Sequence, residues 1–352
     1  MPRRERTNLT TIAERLGVSI STVSRALRGM EGIHPETRSR IIALSHQMGY
    51  ASKSAVVGPV SSELERDPRH ILALSQNTAP HIDQRFMAGI SGAAVSFNIA
   101  VLTHLVAHDQ CDSVLEARTA PTSFRTGLVK GLILLHRWPN AVARQLCEKL
   151  PAVSIVHDYP NTQIDLIGID ERRGISELME HLYAAGHRRI GFFGLCPEVT
   201  WSCGRFAAYV ESLTRLDLAY DPANVVRIDL KAALEADPFP MPETGNQVLD
   251  RIRHQVDAWV CASSTTAEAL RMHLLAAGLR IPADVALTSF HGNSRYASNG
   301  LPPFTTTDVV DEELGAAAIR RLISRIDSPN ESRRAILVPA RLMVGKTTRP
   351  AV

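Results

Sequence analysis

The sequence predicts an all-helical helix-turn-helix head followed by a two-lobed α/β body with parallel sheets. Three observations carry this. Residues 9–27 hold two short amphipathic stretches joined by a glycine. From His70 onward, short apolar runs alternate with helical stretches of about 12–18 residues, the pattern of βαβ units. These runs fall into two successive sets, which implies two similar lobes. A chain of 352 residues exceeds one ordinary domain and suits a head at 1–50, a linker at 51–69 and a body at 70–352.

In the head, Ile12, Ala13 and Leu16 share one face of a first helix. Gly17 suits a left-handed turn position, Val18 closes the corner, and the Ser19 hydroxyl can cap the next helix. Val23, Ala26 and Leu27 then face inward, leaving Ile20, Ser21, Thr22, Ser24 and Arg25 outside. Small hydroxyls, one apolar side chain and one arginine suit a helix laid into a DNA major groove. There the small residues let the backbone approach, and an arginine can bridge O6 and N7 of guanine. Pro35 and Glu36 start a third helix, with Ile41, Leu44 and Met48 inward, ended by Gly49.

The body strands are expected at 70–74, 99–106, 131–135, 152–156 and 166–169, then at 189–194, 225–228, 258–262 and 285–290. A late run at 335–342 returns to the sheet. The chain is expected to cross between lobes near Asp170, Gly292 and Ser328. Ligands in such folds sit at the carboxyl ends of the strands, in the crevice between lobes.

Apolar residues make up 45% of the chain, which fits soluble α/β architecture. The net charge is +3, unevenly spread: residues 1–53 carry +5, with nine Lys/Arg against four acids, leaving −2 on the rest. A basic head on a slightly acidic body is expected when only the head meets phosphates. The five cysteines show neither CxxC nor zinc spacing and imply a reducing cytosol. MPRRERTN lacks the apolar core of a secretory signal, and no run is long enough to span a membrane, so a cytoplasmic location is expected.

The run IAxxxGVSxxTVSRxL, continued by HPETRSRI and MGY, resembles the DNA-binding head of the lactose-repressor (LacI) family of bacterial regulators. The resemblance extends over nearly the whole chain through AGHRRIGFFG (185–194), RFAAYVESL (205–213), AAGLRIPADVAL (276–287) and LPPFTTTDVVDEELGAAAIRRLI (301–323). It implies a periplasmic-binding-protein-like body and a homodimer whose two heads read a pseudo-palindromic operator. It implies base reading by Ile20, Ser21 and Arg25, and backbone positioning by Asn8, Ser19, Thr22, Ser24, Thr37 and Tyr50. Lys53 adds a phosphate or groove contact. By the same resemblance Arg205 grips an effector, Trp201 offers a flat wall one turn earlier, and His81 and Asp83 follow the first strand.

Three departures from the family pattern stand out. Ser52 and Lys53 replace a Pro-Asn pair, and Pro59 takes the place of a leucine that wedges into the minor groove. Gly58-Pro59 is a poor helix interior, so a flexible tether is expected. Ser263-Ser264 replaces an Asn-Asp pair and His291-Gly292 an Asp-Asp pair, so Ser263, Ser264 and His291 are expected to face the effector in their place. With these carboxylates missing, either the effector is not an ordinary monosaccharide or its polar partners are others, such as His136, Asp158 or Asp170.

No GxSxG, GxxxxGK or post-strand GxGxxG motif is present, and the thirteen histidines are dispersed without an HxxxH pair. Neither catalysis, a metal site nor a cofactor is expected. The chain reads as a DNA-binding transcriptional regulator, a repressor whose operator affinity answers to a small ligand such as a sugar. The rival reading is a ligand-binding receptor without specific DNA readout.

Overall fold

In the computed structural model the described residues are 9–27, 33–34, 37–38, 40–41, 44–45, 69–76, 80–229, 242–254, 256–291 and 303–350, without the side chains of 27, 80–83 and 242–244. The chain forms two units, residues 1–68 and 69–352.

The first unit contains α1 (Leu9–Leu16) and α2 (Ile20–Leu27). Gly17 takes φ +66°, the left-handed turn its lack of a Cβ permits. The Val18 N–H donates to the Ala13 carbonyl at 3.1 Å and closes the first helix. The Thr22 N–H donates to Ser19 Oγ at 3.0 Å, the expected N-cap. Ile12, Ala13, Val23 and Ala26 are buried with Ile41 of a third helical segment, and Leu16, Val18 and Leu44 pack against them. The inward positions read from helical spacing are therefore the small core of this unit. Met48, the Leu27 side chain, Pro35 and Glu36, and the 51–68 tether lie outside the described residues.

The second unit holds two six-stranded sheets. In chain order its elements begin with β1 (Arg69–Gln76), α3 (Pro80–Ser96), β2 (Ile99–Val106), a 3-10 segment (His108–Leu115) and α4 (Thr122–Arg125). They continue with β3 (Val129–Leu134), α5 (Asn140–Lys149), β4 (Ala152–Ile155), β5 (Asp165–Ile169), α6 (Glu171–Ala184) and β6 (Ile190–Leu195). Next come α7 (Thr200–Arg215), β7 (Val225–Arg227), α8 (Pro242–Arg253), β8 (Ala258–Cys261), α9 (Ser264–Ala276) and β9 (Ala286–Ser289). The last are β10 (Thr305–Asp308), α10 (Asp311–Asp327), β11 (Ala335–Val338) and β12 (Arg341–Met343). The first sheet is parallel throughout, in the order β11-β5-β4-β3-β1-β2. The second runs β12-β10-β9-β8-β6-β7, with only β12 antiparallel. Strands such as β4, β6, β8 and β9 are buried along their length because helices cover both faces.

The chain crosses between sheets at Asp170, between β10 and α10, and between β11 and β12. The expected crossings near Gly292 and Ser328 are corrected. The chain on either side of Gly292 belongs to the second sheet, as β9 and β10 pair with each other. Ser328 follows α10 and stays with the first sheet. The run 335–342 is likewise divided, since Ala335–Val338 pairs with β5 and Arg341–Met343 with β10. One apolar core passes through both lobes by way of Ile169, Ile175, Phe290, Val309 and Ala340, so the crossing region is packed rather than loose. No described helix is long and apolar enough to cross a membrane.

Candidate functional site

On α2 the buried pair Val23 and Ala26 turns the opposite face outward. Ile20, Ser21 and Arg25 are exposed, and Thr22 and Ser24 are half-buried. An isoleucine 47% exposed is a costly thing to leave in water and a good partner for a thymine methyl. Ser19 serves as the cap, its Oγ also 2.8 Å from Thr22 Oγ1. Thr37 is half-buried in the third helical segment. Asn8, Tyr50 and Lys53 lie outside the described residues.

In the body, the carboxyl ends of the two sheets converge on Arg205 of α7. Its guanidinium is buried, 4% exposed. Nη1 donates to the Ala262 carbonyl at 2.6 Å, just beyond β8. The Cζ atom sits 4.0 Å from the ring centre of Phe290, just beyond β9, and 4.4 Å from that of Trp201. Just past the crossing at Asp170, Glu171 Oε1 lies 3.3 Å from Arg205 Nε. Burial pushes the Glu171 carboxyl up to about 7, against the pull of Arg205, and burial brings the Arg205 guanidinium down to about 10.

The first lobe contributes His136, beyond β3, and His157, beyond β4. His136 has φ +62° and Val156 has φ +69°. The His157 N–H donates to the Ile155 carbonyl at 2.8 Å, closing a γ-turn about a β-branched residue, a strained arrangement found mostly at functional sites. Burial, with His136 and the guanidinium groups of Arg137 and Arg205 nearby, holds the His157 imidazole down at about 3, so it is neutral. At the end of β1, the buried Gln76 donates to the Arg137 carbonyl at 2.7 Å and meets His108 Nδ1 at 2.8 Å.

Other predicted site residues are placed differently. Ser263 caps α9, its Oγ accepting the Thr266 N–H at 3.2 Å within a capping box, while Ser264 opens that helix. His291, at φ +61°, holds Asp311 at 2.9 Å through Nε2. Arg85 of α3 reaches the same Asp311 at 3.3 Å and Glu312 at 3.4 Å, so His291 is tied into the crossing. His81 and Asp83 fall in the first turn of α3, and their side chains lie outside the described set. Asp158 pairs with Arg333, and Asp170 caps α6 by accepting the Arg173 N–H at 3.0 Å. Glu171 and His157 escaped sequence reasoning, because their relation to Arg205 spans 34 and 48 residues and depends on the sheets closing. Among the described residues no group of His, Cys, Asp and Glu is arranged to hold a metal ion.

Comparison with known proteins fits both units. Residues 8–53 match the bacterial regulatory proteins of the lacI family, and residues 179–348 match the periplasmic binding protein-like domain. The chain is 26% identical to the HTH-type transcriptional regulator CelR of Thermobifida fusca, across 98% of this chain and 99% of that protein. It is 24% identical to the HTH-type transcriptional repressor CytR of Escherichia coli K12, across 96% of this chain and 95% of the repressor. Among solved structures, a CelR–cellobiose complex aligns with TM-score 0.62 at 21% identity, over 97% of this chain and all of that one. The lac repressor dimer bound to operator and the anti-inducer ONPF aligns with TM-score 0.62 at 22% identity, over 98% and 99%. The chain thus carries a lacI-family head and a periplasmic binding protein-like domain, and it is similar over nearly its whole length to bacterial transcriptional regulators of the LacI type.

Proposed function

We propose that this regulator is a repressor that binds a pseudo-palindromic operator as a homodimer in the cytoplasm, with its affinity set by a small ligand between the body lobes. The observation that carries this is the outer face of α2, where Ile20, Ser21 and Arg25 stand exposed above a buried Val23–Ala26 seam. One such head reaches only a few base pairs, and a two-fold pair reads the longer, symmetric site that selectivity requires. Among similar proteins, the lac repressor is a dimer on its operator and CelR is seen with cellobiose, which supports both partners. Ligand binding in the cleft changes how the two lobes sit on their three crossings, and the difference in ligand affinity between lobe arrangements becomes a difference in operator affinity. The chain is not an enzyme in this reading. Its cleft holds Arg205 against Glu171, Trp201 and Phe290, and the similar proteins CelR and CytR are transcriptional regulators.

The test is selection of bound duplexes from random DNA by the purified chain. The expected result is a pseudo-palindromic consensus with guanine at a fixed place in each half-site, lost when Arg25 is replaced by alanine. Recovery of unrelated sequences, or an unchanged consensus with Arg25→Ala, contradicts the reading.

A further inference from the structure

We propose that the ligand of the interlobe cleft is an anion, a small metabolite bearing a carboxylate or phosphate group, held between Arg137 and His157 of the first lobe and Arg205 of the second. This deepens the reading above and rests on its ligand-binding cleft. Four observations support it.

First, Arg205 is buried, yet its Nε–H has no hydrogen-bond acceptor of good geometry; Glu171 lies close but out of line. A buried guanidinium with a spare donor gains from a second anionic acceptor. Second, Arg137 is half-buried and has no carboxylate partner among the described residues, while lying near enough to act on His157.

Third, the carboxylates described around the cleft, Glu171 apart, are already committed. Asp158 is held by Arg333, Asp170 caps α6, and Asp311 is shared by His291 and Arg85. Among the described carboxylates Glu171 alone faces Arg205. A neutral sugar brings hydroxyl groups that each look for acceptors as well as donors. Among the described residues this cleft offers arginine and imidazole donors and few acceptors, a set matched by an anion. The replacement of two acid-bearing pairs by Ser263-Ser264 and His291-Gly292 points the same way.

Fourth, the strain at Val156 sets His157 in place. His157 is half-buried, so its ring is not wholly closed off by the protein around it. A neutral imidazole there donates one hydrogen bond without the cost of a third buried cation beside Arg137 and Arg205.

The experiment is titration calorimetry of the full chain with matched probes: glucose 6-phosphate against glucose, and galacturonate and gluconate against galactose. Inorganic phosphate and acetate serve as bare-ion controls. Operator retention is measured in parallel on the same samples. Saturable binding of a phosphate or a carboxylate probe, with its neutral counterpart at least about tenfold weaker, is expected. Which arm responds identifies the anionic group. Arg137→Gln is expected to weaken that probe about tenfold while operator retention stays unchanged, and His157→Gln to do so more mildly. Tighter binding of a neutral sugar, no binding by any anionic probe, or undiminished anion affinity in Arg137→Gln each overturns the proposal. Anion binding without selective operator retention instead overturns the regulatory reading and leaves the anionic cleft standing.

Discussion

Glu171 and Arg205 meet just past the first crossing between the lobes, with Oε1 and Nε 3.3 Å apart and both groups largely buried. The pair ties the start of α6 to α7, and Arg205 carries the tie on to the ends of β8 and β9. Arg205→Ala leaves Glu171 as a buried carboxyl without a counter-charge and is expected to cost about 3–5 kcal/mol in urea unfolding. The double variant Glu171→Gln/Arg205→Met removes both charges and is expected to recover most of that loss, since replacing a whole buried pair is often close to neutral. If the double variant is as unstable as the sum of the two single changes, the two residues are not coupled in this way.

The crossing of α3 with α10 depends on two glycines. A Cβ on Gly89 would come 2.0 Å from the Glu312 carbonyl oxygen, and one on Gly315 would come 2.2 Å from that of Phe86. Backbone cannot give way as a flexible side chain can. Gly89→Ala is therefore expected to cost more than about 2 kcal/mol by forcing the helices apart. Gly92, three residues along the same helix, has nothing within 4 Å of its Cβ position. Gly92→Ala is expected to gain up to about 1 kcal/mol from helix propensity. Thermal unfolding of the two variants side by side checks the contrast, and equal effects would disprove the close packing.

Asp165 anchors the first lobe from within. It is fully buried and accepts from Arg321 Nε at 2.7 Å, from Arg325 Nη2 at 2.6 Å and from the Arg334 N–H at 2.6 Å. Burial pushes its carboxyl up, but Arg325, the Arg334 N–H and Arg321 together outweigh burial and hold it below the ordinary value of 3.8. A carboxyl depressed in the folded state contributes stability that is present above the unfolded value and is lost as pH falls through the folded one. Urea midpoints of the wild type should thus drop as pH falls below about 4, with a shallower drop in Asp165→Asn. At neutral pH that variant is expected to be less stable by about 3–5 kcal/mol, because the buried Arg325 loses its counter-ion and Arg321 keeps only Glu331. Parallel pH profiles for wild type and variant would refute the role of Asp165.

Much of this architecture was legible in the residues, for local reasons. Helical spacing fixed which of Ile12, Ala13, Val23, Ala26 and Ile41 would be buried, and strand runs such as 99–106 and 152–155 stand where apolar content placed them. Ser19 and Gly17 acted through chemistry a few residues long. The polar strand β10, TTTD, was missed as a strand because buried threonines that hydrogen-bond to neighbours do not read as an apolar run. The crossings at β10–α10 and β11–β12 were missed because sheet membership is settled by pairing partners, and no local pattern encodes those. In the cleft, Arg205 was legible by resemblance, and Ser263 was read as a ligand group although its hydroxyl is taken up by a helix cap. Glu171, His157 and Phe290 come together only through the closing of both sheets.

On the exposed face of α2, Ile20 and Arg25 are expected to report on different base pairs. Ile20→Ala removes an apolar contact and should relax preference for thymine at one position of each half-site, leaving the rest of the consensus intact. Arg25→Ala should cost about 1–3 kcal/mol of discrimination at a guanine. Binding isotherms against single-base variants of the selected site separate the two effects. An equal loss at every position for either variant would mean that the residue contacts only the DNA backbone.

The most direct single measurement is fluorescence anisotropy of the full-length chain on duplexes from its own promoter region and on a scrambled duplex of equal composition, at about 150 mM salt, where non-specific phosphate contacts are weakened. Expected is a preference of at least about a thousandfold for one promoter duplex, falling steeply when Arg25 is replaced by alanine. Equal affinity for promoter and scrambled DNA across all promoter duplexes, in wild type and variant alike, would contradict an operator-reading head.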